Sequence, residues 1–190
     1  MSVTALSPDS RRRPPVGRLS PTARKAAVIL HVISSVSWLA LMLCLLTLGT
    51  AGLTTRDAET LRSAYRAMQL LGGVLILPLS LLTLVSGLIL SLGTPWGLFR
   101  FRWISTKFWL TLAAAAASLF AFTARLNEAA HVVAQHPTGP ISAMNLGFIR
   151  YNLVIIPAVA LIVYTSNVVL SVVKPWGRRT SSPRKGVQPT

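Results

Sequence analysis

The side chains that could do chemistry in this sequence are few, and one of them lies inside a long apolar run. His31 follows the last preceding charge, Lys25, by six residues and is the only histidine in the uncharged stretch 26–49. In a helix, a rise of about 1.5 Å per residue would place this imidazole about 9 Å into the apolar run. An ionisable side chain at that depth in a membrane-spanning helix is a candidate functional residue.

Further polar side chains fall at a similar distance from the ends of the other apolar runs. They are Ser86, Thr111, Thr165 and Asn167. We therefore predict a small polar pocket around His31, with these four residues in its wall. The alternative is that His31 only hydrogen-bonds to Asn167 or a serine and fixes helix packing, which would be worth about 0.6 kcal/mol.

Other reactive side chains form weaker patterns. Glu128, His131 and His136 share one polar segment, predicted as an outer loop, but histidines five residues apart do not share a helical face and make a poor metal site. The single cysteine, Cys44, excludes an intrachain disulfide and a cysteine-based metal cluster. No paired carboxylates, nucleophile elbow or phosphate-binding loop is found. These patterns favour a non-enzymatic protein without a metal site.

The elements that must position these residues are apolar helices. Hydrophobic residues make up 52% of the sequence and charged residues only 12%, and about 20 apolar residues suffice to cross a bilayer. We predict an all-α, integral membrane four-helix bundle over residues 23–178. Its helices are expected at about 26–49, 69–93, 106–125 and 150–173. The polar tails, residues 1–22 and 179–190, are expected to be disordered.

The net charge of +15 is unevenly distributed along the sequence. Fourteen of the nineteen basic residues fall within three stretches, 11–25, 100–107 and 174–185, and the other five lie between these stretches. The positive-inside rule then predicts a plasma-membrane protein with both termini in the cytoplasm. Anionic lipid headgroups are the expected partner of the basic tails, and no nucleic acid is expected.

One segment of the sequence occurs twice. SGLILSLGTPWG (86–97) and SNVVLSVVKPWG (166–177) match at one constant offset along the chain. Tryptophan is favoured at the headgroup level and proline stops a helix, so each copy is a helix stop with an interfacial anchor. We interpret the repeat as a duplicated two-helix hairpin in parallel orientation. The alternative is that Pro-Trp-Gly arose twice as a stop signal.

The first apolar run, HVISSVSWLAL, resembles the opening of bacterial membrane proteins that include the copper-resistance D family and the HemJ-type protoporphyrinogen oxidases. In that group a first-helix histidine precedes a tryptophan by seven residues, as His31 precedes Trp38 here. WISTKFWLTL extends the likeness with Trp103 and Lys107. Over roughly residues 24–178, the chain most resembles a family of small predicted integral membrane proteins of unknown function from actinobacteria.

This resemblance implies a haem- or metal-handling redox protein, with His31 as a ligand and Lys107 as an anchor for a propionate or phosphate. The sequence departs from the group at 117–119, where Ala-Ser-Leu replaces an expected second histidine. Two-histidine haem ligation within one chain is therefore excluded, which leaves a single axial ligand or a haem shared across a homodimer. Lys107 is otherwise interpreted as a lysine whose charge reaches the interface from an apolar surface.

Three functions are compatible with these patterns. The preferred one is a non-enzymatic accessory or binding component of the membrane with a pocket around His31. The second is the redox protein that the resemblance implies. The third is a small transporter, which would need oligomerisation because four helices enclose little volume.

Overall fold

The computed structural model describes residues 19–93 and 102–173, and within these ranges it has four long helices and no strand. They are α1 (Pro21–Thr54), α2 (Ala58–Leu92), α3 (Arg102–Gln135) and α4 (Ile149–Val173). A short 3-10 helix, Ile141–Ala143, lies between α3 and α4. The predicted all-α four-helix fold is confirmed. Both Pro-Trp-Gly motifs and residues 1–18 and 179–190 of the predicted disordered tails lie outside the described residues. The last two residues of the N-terminal tail, Pro21 and Thr22, are helical, which corrects the bound predicted for it.

All four helices are long and apolar enough to cross a membrane, with mean hydropathies of 2.2, 2.4, 1.4 and 2.3 in their most apolar windows. Only 22–28% of each window is buried inside the bundle. Large aliphatic side chains such as Leu70, Ile162 and Val172 therefore point outward. An outer surface of this kind suits lipid rather than water, so the fold is that of a multi-pass membrane protein.

Helix caps carry α1 and α2 beyond the apolar spans predicted for them. Ser20 caps α1 by accepting a hydrogen bond from the Ala23 amide, and Pro21 opens the helix. Asp57 caps α2 by accepting hydrogen bonds from the amides of Glu59 and Thr60. Side chains of this kind satisfy the free amides of a first helical turn. Only three residues therefore separate the two helices.

The third helix continues through the segment that the sequence analysis assigned to an outer loop. A π-helical segment, Ala117–Phe122, lies in the middle of α3, and the helix then runs on to Gln135. One face of the extension is apolar and buried, and consists of Leu126, Ala129, Ala130 and Val133. This face packs against the bundle, so the segment that contains Glu128 and His131 is helical. In the described ranges no three His, Cys, Asp or Glu side chains form a group that could bind a metal ion.

Each helix packs on its neighbours in sequence, and α4 also packs on α1, which closes the bundle. The core between the helices is apolar in its middle and includes Met42, Leu45, Met68, Phe122 and Leu153, all fully buried. We call the end where α1 and α3 begin and α2 and α4 finish the terminal end, because the described part of the chain begins and ends there.

At the opposite end of the bundle, two arginines donate hydrogen bonds to backbone carbonyls of other segments. Arg62 is 3% exposed and donates hydrogen bonds to the carbonyls of His136 and Gly139, at 2.7 and 2.6 Å. Arg150 donates to the Leu53 carbonyl at 2.7 Å and ties α4 to the last turn of α1. These bonds satisfy loop and helix-end carbonyls that would otherwise lack partners. The two arginines thus hold the helix ends and the connection together at the end opposite to the terminal end.

The two hairpins match at the predicted offset. Ser86 and Ser166 donate to the carbonyls four residues before them, and Ser91 and Ser171 do the same. Bonds of this kind also occur at threonines outside the repeat, such as Thr47 and Thr106, so the duplicated hairpin stays a prediction.

Candidate functional site

A cavity of about 290 Å³ opens at the terminal end between α1, α2 and α3. We call it the terminal-end cavity. Its polar lining consists of Arg24, His31, Thr83, Ser91, Lys107 and Thr111. The rest of its wall is apolar or aromatic, apart from Gly87. A mainly apolar wall with a few convergent polar groups is typical of ligand pockets.

His31 lies in this cavity because two adjacent residues of α2 accommodate it. Gly87 leaves space for the ring, and Ser86 makes a hydrogen bond to it. A Cβ atom on Gly87 would lie 3.1 Å from His31 Cε1, so the imidazole rests where a side chain would otherwise stand. One residue earlier, Ser86 is 1% exposed, and its Oγ lies 3.0 Å from His31 Nδ1. His31 therefore contacts Ser86, one of the residues named for the pocket wall, and this contact joins α1 to α2.

The hydrogen bonds of Ser86 favour one tautomer of His31. Ser86 Oγ lies within hydrogen-bond distance of the Leu82 carbonyl of its own helix. When the serine proton is donated to that carbonyl, Ser86 Oγ accepts from His31, and Nδ1 carries a proton. In the neutral ring Nε2 is then the nitrogen with a lone pair, and protonation of Nε2 would make it a donor.

Lys107 enters the cavity wall from α3. It is partly buried, and its Nζ donates to Ser171 Oγ on α4. The ammonium also lies 5.9 Å from the centre of the Trp103 ring. Three basic residues, Arg24, His31 and Lys107, thus line the cavity, and no carboxylate of the described residues does. The electrostatic character of the cavity is therefore positive.

Thr111 and Asn167 meet beside the same cavity. Asn167 Nδ2 donates to Thr111 Oγ1 at 3.1 Å, and this bond joins α3 to α4. Thr111 lines the cavity, whereas Asn167 lies behind it. Asn167 Oδ1 is buried and has no hydrogen-bond partner among the described residues.

Five of the six residues singled out from the sequence therefore gather at this end of the bundle, and Thr165 does not. Thr165 is exposed on the outer surface of α4. The preceding residue, Tyr164, faces the interior, where its ring lies 4.5 Å from that of Trp38. Adjacent residues in a helix differ by about 100° in direction, so Thr165 must point toward lipid. This corrects its predicted place in the pocket wall.

The sequence analysis did not assign Arg24, Thr83 and Ser91 to the pocket, although the cavity includes them. Thr83 lies three residues before Ser86, which is the spacing of one helix face, and this spacing could have identified it. Ser91 belongs to the repeated segment, but its exposure to the cavity follows from how α2 and α3 pack and not from the repeat.

Each hairpin has a polar pair that joins its two helices, but the two pairs use different positions of the second helix. His31 and Thr111 are related by the offset of the repeat, and each bonds to the second helix of its own hairpin, at Ser86 and Asn167. The residue equivalent to Gly87 is Asn167, whose side chain occupies the corresponding place beside Thr111. Replacement of glycine by asparagine thus distinguishes the second hairpin from the first.

A haem, which the sequence resemblance implies, fits this site poorly. His31 could present Nε2 as one axial ligand, and Lys107 could pair with a propionate. A cavity of about 290 Å³ lies at the small end of the range of ligand pockets and does not enclose a tetrapyrrole. Both other described histidines, His131 and His136, belong to the opposite end of the bundle.

No family model matches the chain, and the searches of curated proteins and of solved structures also found no match. The function must therefore be argued from the terminal-end cavity itself.

Proposed function

We propose that this protein is a non-enzymatic component of the membrane that binds a small ligand in the terminal-end cavity. The observation that carries the proposal is the convergence of His31 and Lys107, from two helices, on one cavity of about 290 Å³. Ligand pockets typically measure about 300–1,000 Å³, so the cavity suits a small molecule or one end of a larger one.

The composition of the wall favours binding over catalysis. General acid–base catalysis needs a donor and an acceptor within reach of one reacting group, and covalent catalysis needs a nucleophile beside a base. Ser86, the hydroxyl nearest to His31, is 1% exposed and donates to its own helix. It therefore holds the imidazole in place and is not presented as a nucleophile.

We further propose that the protein spans the plasma membrane with its terminal end on the cytoplasmic side. The support is the charge distribution, because fourteen of the nineteen basic residues fall within the stretches 11–25, 100–107 and 174–185, which precede α1, join α2 to α3 and follow α4 or lie in the adjoining helix ends. The positive-inside rule assigns such segments to the cytoplasm. The basic tails would then lie against anionic lipid headgroups.

A cavity-filling substitution with a matched control tests the binding function. Gly87→Leu would place a side chain against His31, while Gly73→Leu adds the same side chain on the outer surface of α2, where no atom lies within 4 Å. Each full-length protein is purified in a phosphate-free maltoside detergent and examined by native mass spectrometry. We expect a small molecule to copurify with the wild type and Gly73→Leu but not with Gly87→Leu.

Absence of any copurifying molecule from all three proteins, or its equal presence in all three, would refute the proposed function. An absorption spectrum of the same samples tests the redox alternative. A Soret band that is lost in His31→Ala would replace a simple binding role by a haem-dependent one.

A further inference from the structure

Lys107 is a partly buried cation with no opposite charge near it in the described part of the chain. Its ammonium contacts Ser171 Oγ and the Trp103 ring, and both groups are neutral. The acidic residues of the described ranges are Asp57, Glu59 and Glu128, and all of them lie toward the opposite end of the bundle. Burial of a charge is costly unless the charge is paired. An anion in the terminal-end cavity would pair this charge.

The basic groups line one cavity from two helices. Arg24 and His31 are seven residues apart, which is two turns on one face of α1, and Lys107 faces the same cavity from α3. A lysine has three N–H donors, and the Lys107 ammonium gives one of them to Ser171. Donors that converge from two helices suit an anion with several acceptor oxygens, and a phosphate group offers at least three.

The cavity also lies at the level in the sequence where charge gives way to apolar helix. Lys107 is the last charged residue before the uncharged run 108–124, and Lys25 is the last before 26–49. Trp103, in the cavity wall, is of the residue type that is enriched at the headgroup level. A lipid headgroup and a dissolved ion are therefore both candidate ligands at this level.

We infer that the terminal-end cavity binds a phosphate group, with Lys107 as its main contact and with Arg24 and His31 beside it. The inference rests on the proposed binding function and adds the chemical class of the ligand. The phosphate belongs either to an anionic lipid headgroup or to a free phosphate in the cytoplasm, and the two sources share the chemistry that the cavity recognises.

The test uses the full-length protein in maltoside micelles, which contain no phosphate. Inorganic phosphate is titrated in one arm and short-chain phosphatidylglycerol in the other, against potassium chloride at matched ionic strength. Tryptophan fluorescence, to which Trp103 contributes, and the thermal unfolding midpoint report binding. A response to phosphate alone assigns the free ion, a response to the lipid alone assigns the headgroup, and a response to both shows that the phosphate group suffices.

Three variants connect the response to the cavity. In Lys107→Met we expect the dissociation constant of the responding arm to rise at least tenfold. Arg24→Met, at an exposed position of the cavity mouth, should raise it several-fold without disturbing the core, so it serves if Lys107→Met does not fold. Arg66→Met removes an exposed charge at the opposite end and should leave the constant unchanged.

No response in either arm, or an equal response in wild type and both cavity variants, would overturn the inference. Failure of the phosphate inference is distinguishable from failure of the proposed binding function. If an uncharged molecule copurifies with the wild type and is lost in Gly87→Leu, the cavity binds a ligand but the ligand is not a phosphate.

Discussion

His31 Nδ1 lies 3.0 Å from Ser86 Oγ, and this contact joins the beginning of α1 to the end of α2 beside the terminal-end cavity. The serine is in turn fixed by its own hydrogen bond to the Leu82 carbonyl. The position of the imidazole therefore depends on a hydroxyl that cannot rotate away without losing a partner. The contribution of this hydrogen bond to the free energy of unfolding can therefore be measured by replacing Ser86.

Ser86→Ala should lower the free energy of unfolding by about 0.6 kcal/mol and at most about 1.7 kcal/mol, the range of interhelical hydrogen bonds in membranes. The reason is that the imidazole loses its hydrogen bond to Ser86 in a partly buried place. The matched control is Ser166→Ala, because Ser166 is the repeat-equivalent serine, is exposed, and donates only to the Ile162 carbonyl of its own helix.

Both variants can be measured by reversible unfolding in mixed micelles. A loss that is equal in the two variants would mean that the effect comes from the helix and not from the contact with His31. If Ser86→Ala is as stable as the wild type, the hydrogen bond does not contribute to stability.

Close packing of α1 on α4 depends on Gly49. A Cβ atom at this position would collide with the backbone carbonyl oxygen of Leu153, which cannot move aside without shifting α4. We expect Gly49→Ala to lower the free energy of unfolding by about 1–3 kcal/mol, as overpacking does. Gly73→Ala is the control, since nothing lies within 4 Å of its added methyl group.

In the control, alanine should be neutral or should stabilise the helix by up to about 1 kcal/mol, because glycine loses more backbone entropy on folding. The same unfolding measurement compares the two variants. A Gly49→Ala protein with wild-type stability would show that α1 and α4 are farther apart than the structure places them.

Arg62 is predicted to hold the connection between α3 and α4 in place. Its Nε and one terminal nitrogen donate to the carbonyls of His136 and Gly139, while the other binds Glu59 at 3.0 Å. Arg62→Lys keeps the charge but cannot reproduce these donors in a fixed fork. Hydrogen exchange followed by mass spectrometry should then show faster exchange in residues 136–143, with an unchanged rate in α1.

The control for this change is Arg66→Lys, because Arg66 is exposed one turn further along α2. If both variants exchange at the wild-type rate in 136–143, the connection is held by its own local contacts and not by Arg62.

The number of helices and the depth of the polar residues could be predicted from sequence, because both depend on counting along the chain. Uncharged runs of sufficient length predicted four spans, and the constant rise per residue placed His31, Ser86, Thr111 and Asn167 at one level. Direction around a helix cannot be counted in the same way. Thr165 points outward because the contact of Tyr164 with Trp38 sets the rotation of α4.

The helix ends were harder to predict because they do not coincide with the ends of the apolar runs. Apolar runs report where lipid begins, whereas Ser20 and Asp57 decide where the helical hydrogen bonds begin. The continuation of α3 to Gln135 was present in the sequence, since its buried residues 126, 129, 130 and 133 follow the spacing of one helix face. The polar residues between them concealed this pattern.

Asp57 gives the protein a pH-dependent contribution to stability at the opposite end. A hydrogen bond from the Thr60 hydroxyl, at 2.6 Å, and the amides of Thr60 and Glu59 stabilise the charged carboxylate and lower its pKa below the usual value. A carboxylate whose pKa is lower in the folded state contributes stability above its unfolded pKa of about 3.9. That contribution is lost as the pH falls through the lower, folded pKa.

The measurement compares the wild type with Asp57→Ser, because serine also caps a helix but does not titrate near these values. The other acidic residues are common to both proteins, so the difference between the two free energies of unfolding isolates Asp57. We expect this difference to be constant from about pH 8 to pH 5 and to decrease steadily from there toward about pH 2. A difference that stays constant over the whole range would show that the carboxylate is bound equally well in the unfolded chain. In that case the cap at Asp57 would depend on its geometry alone and not on its charge.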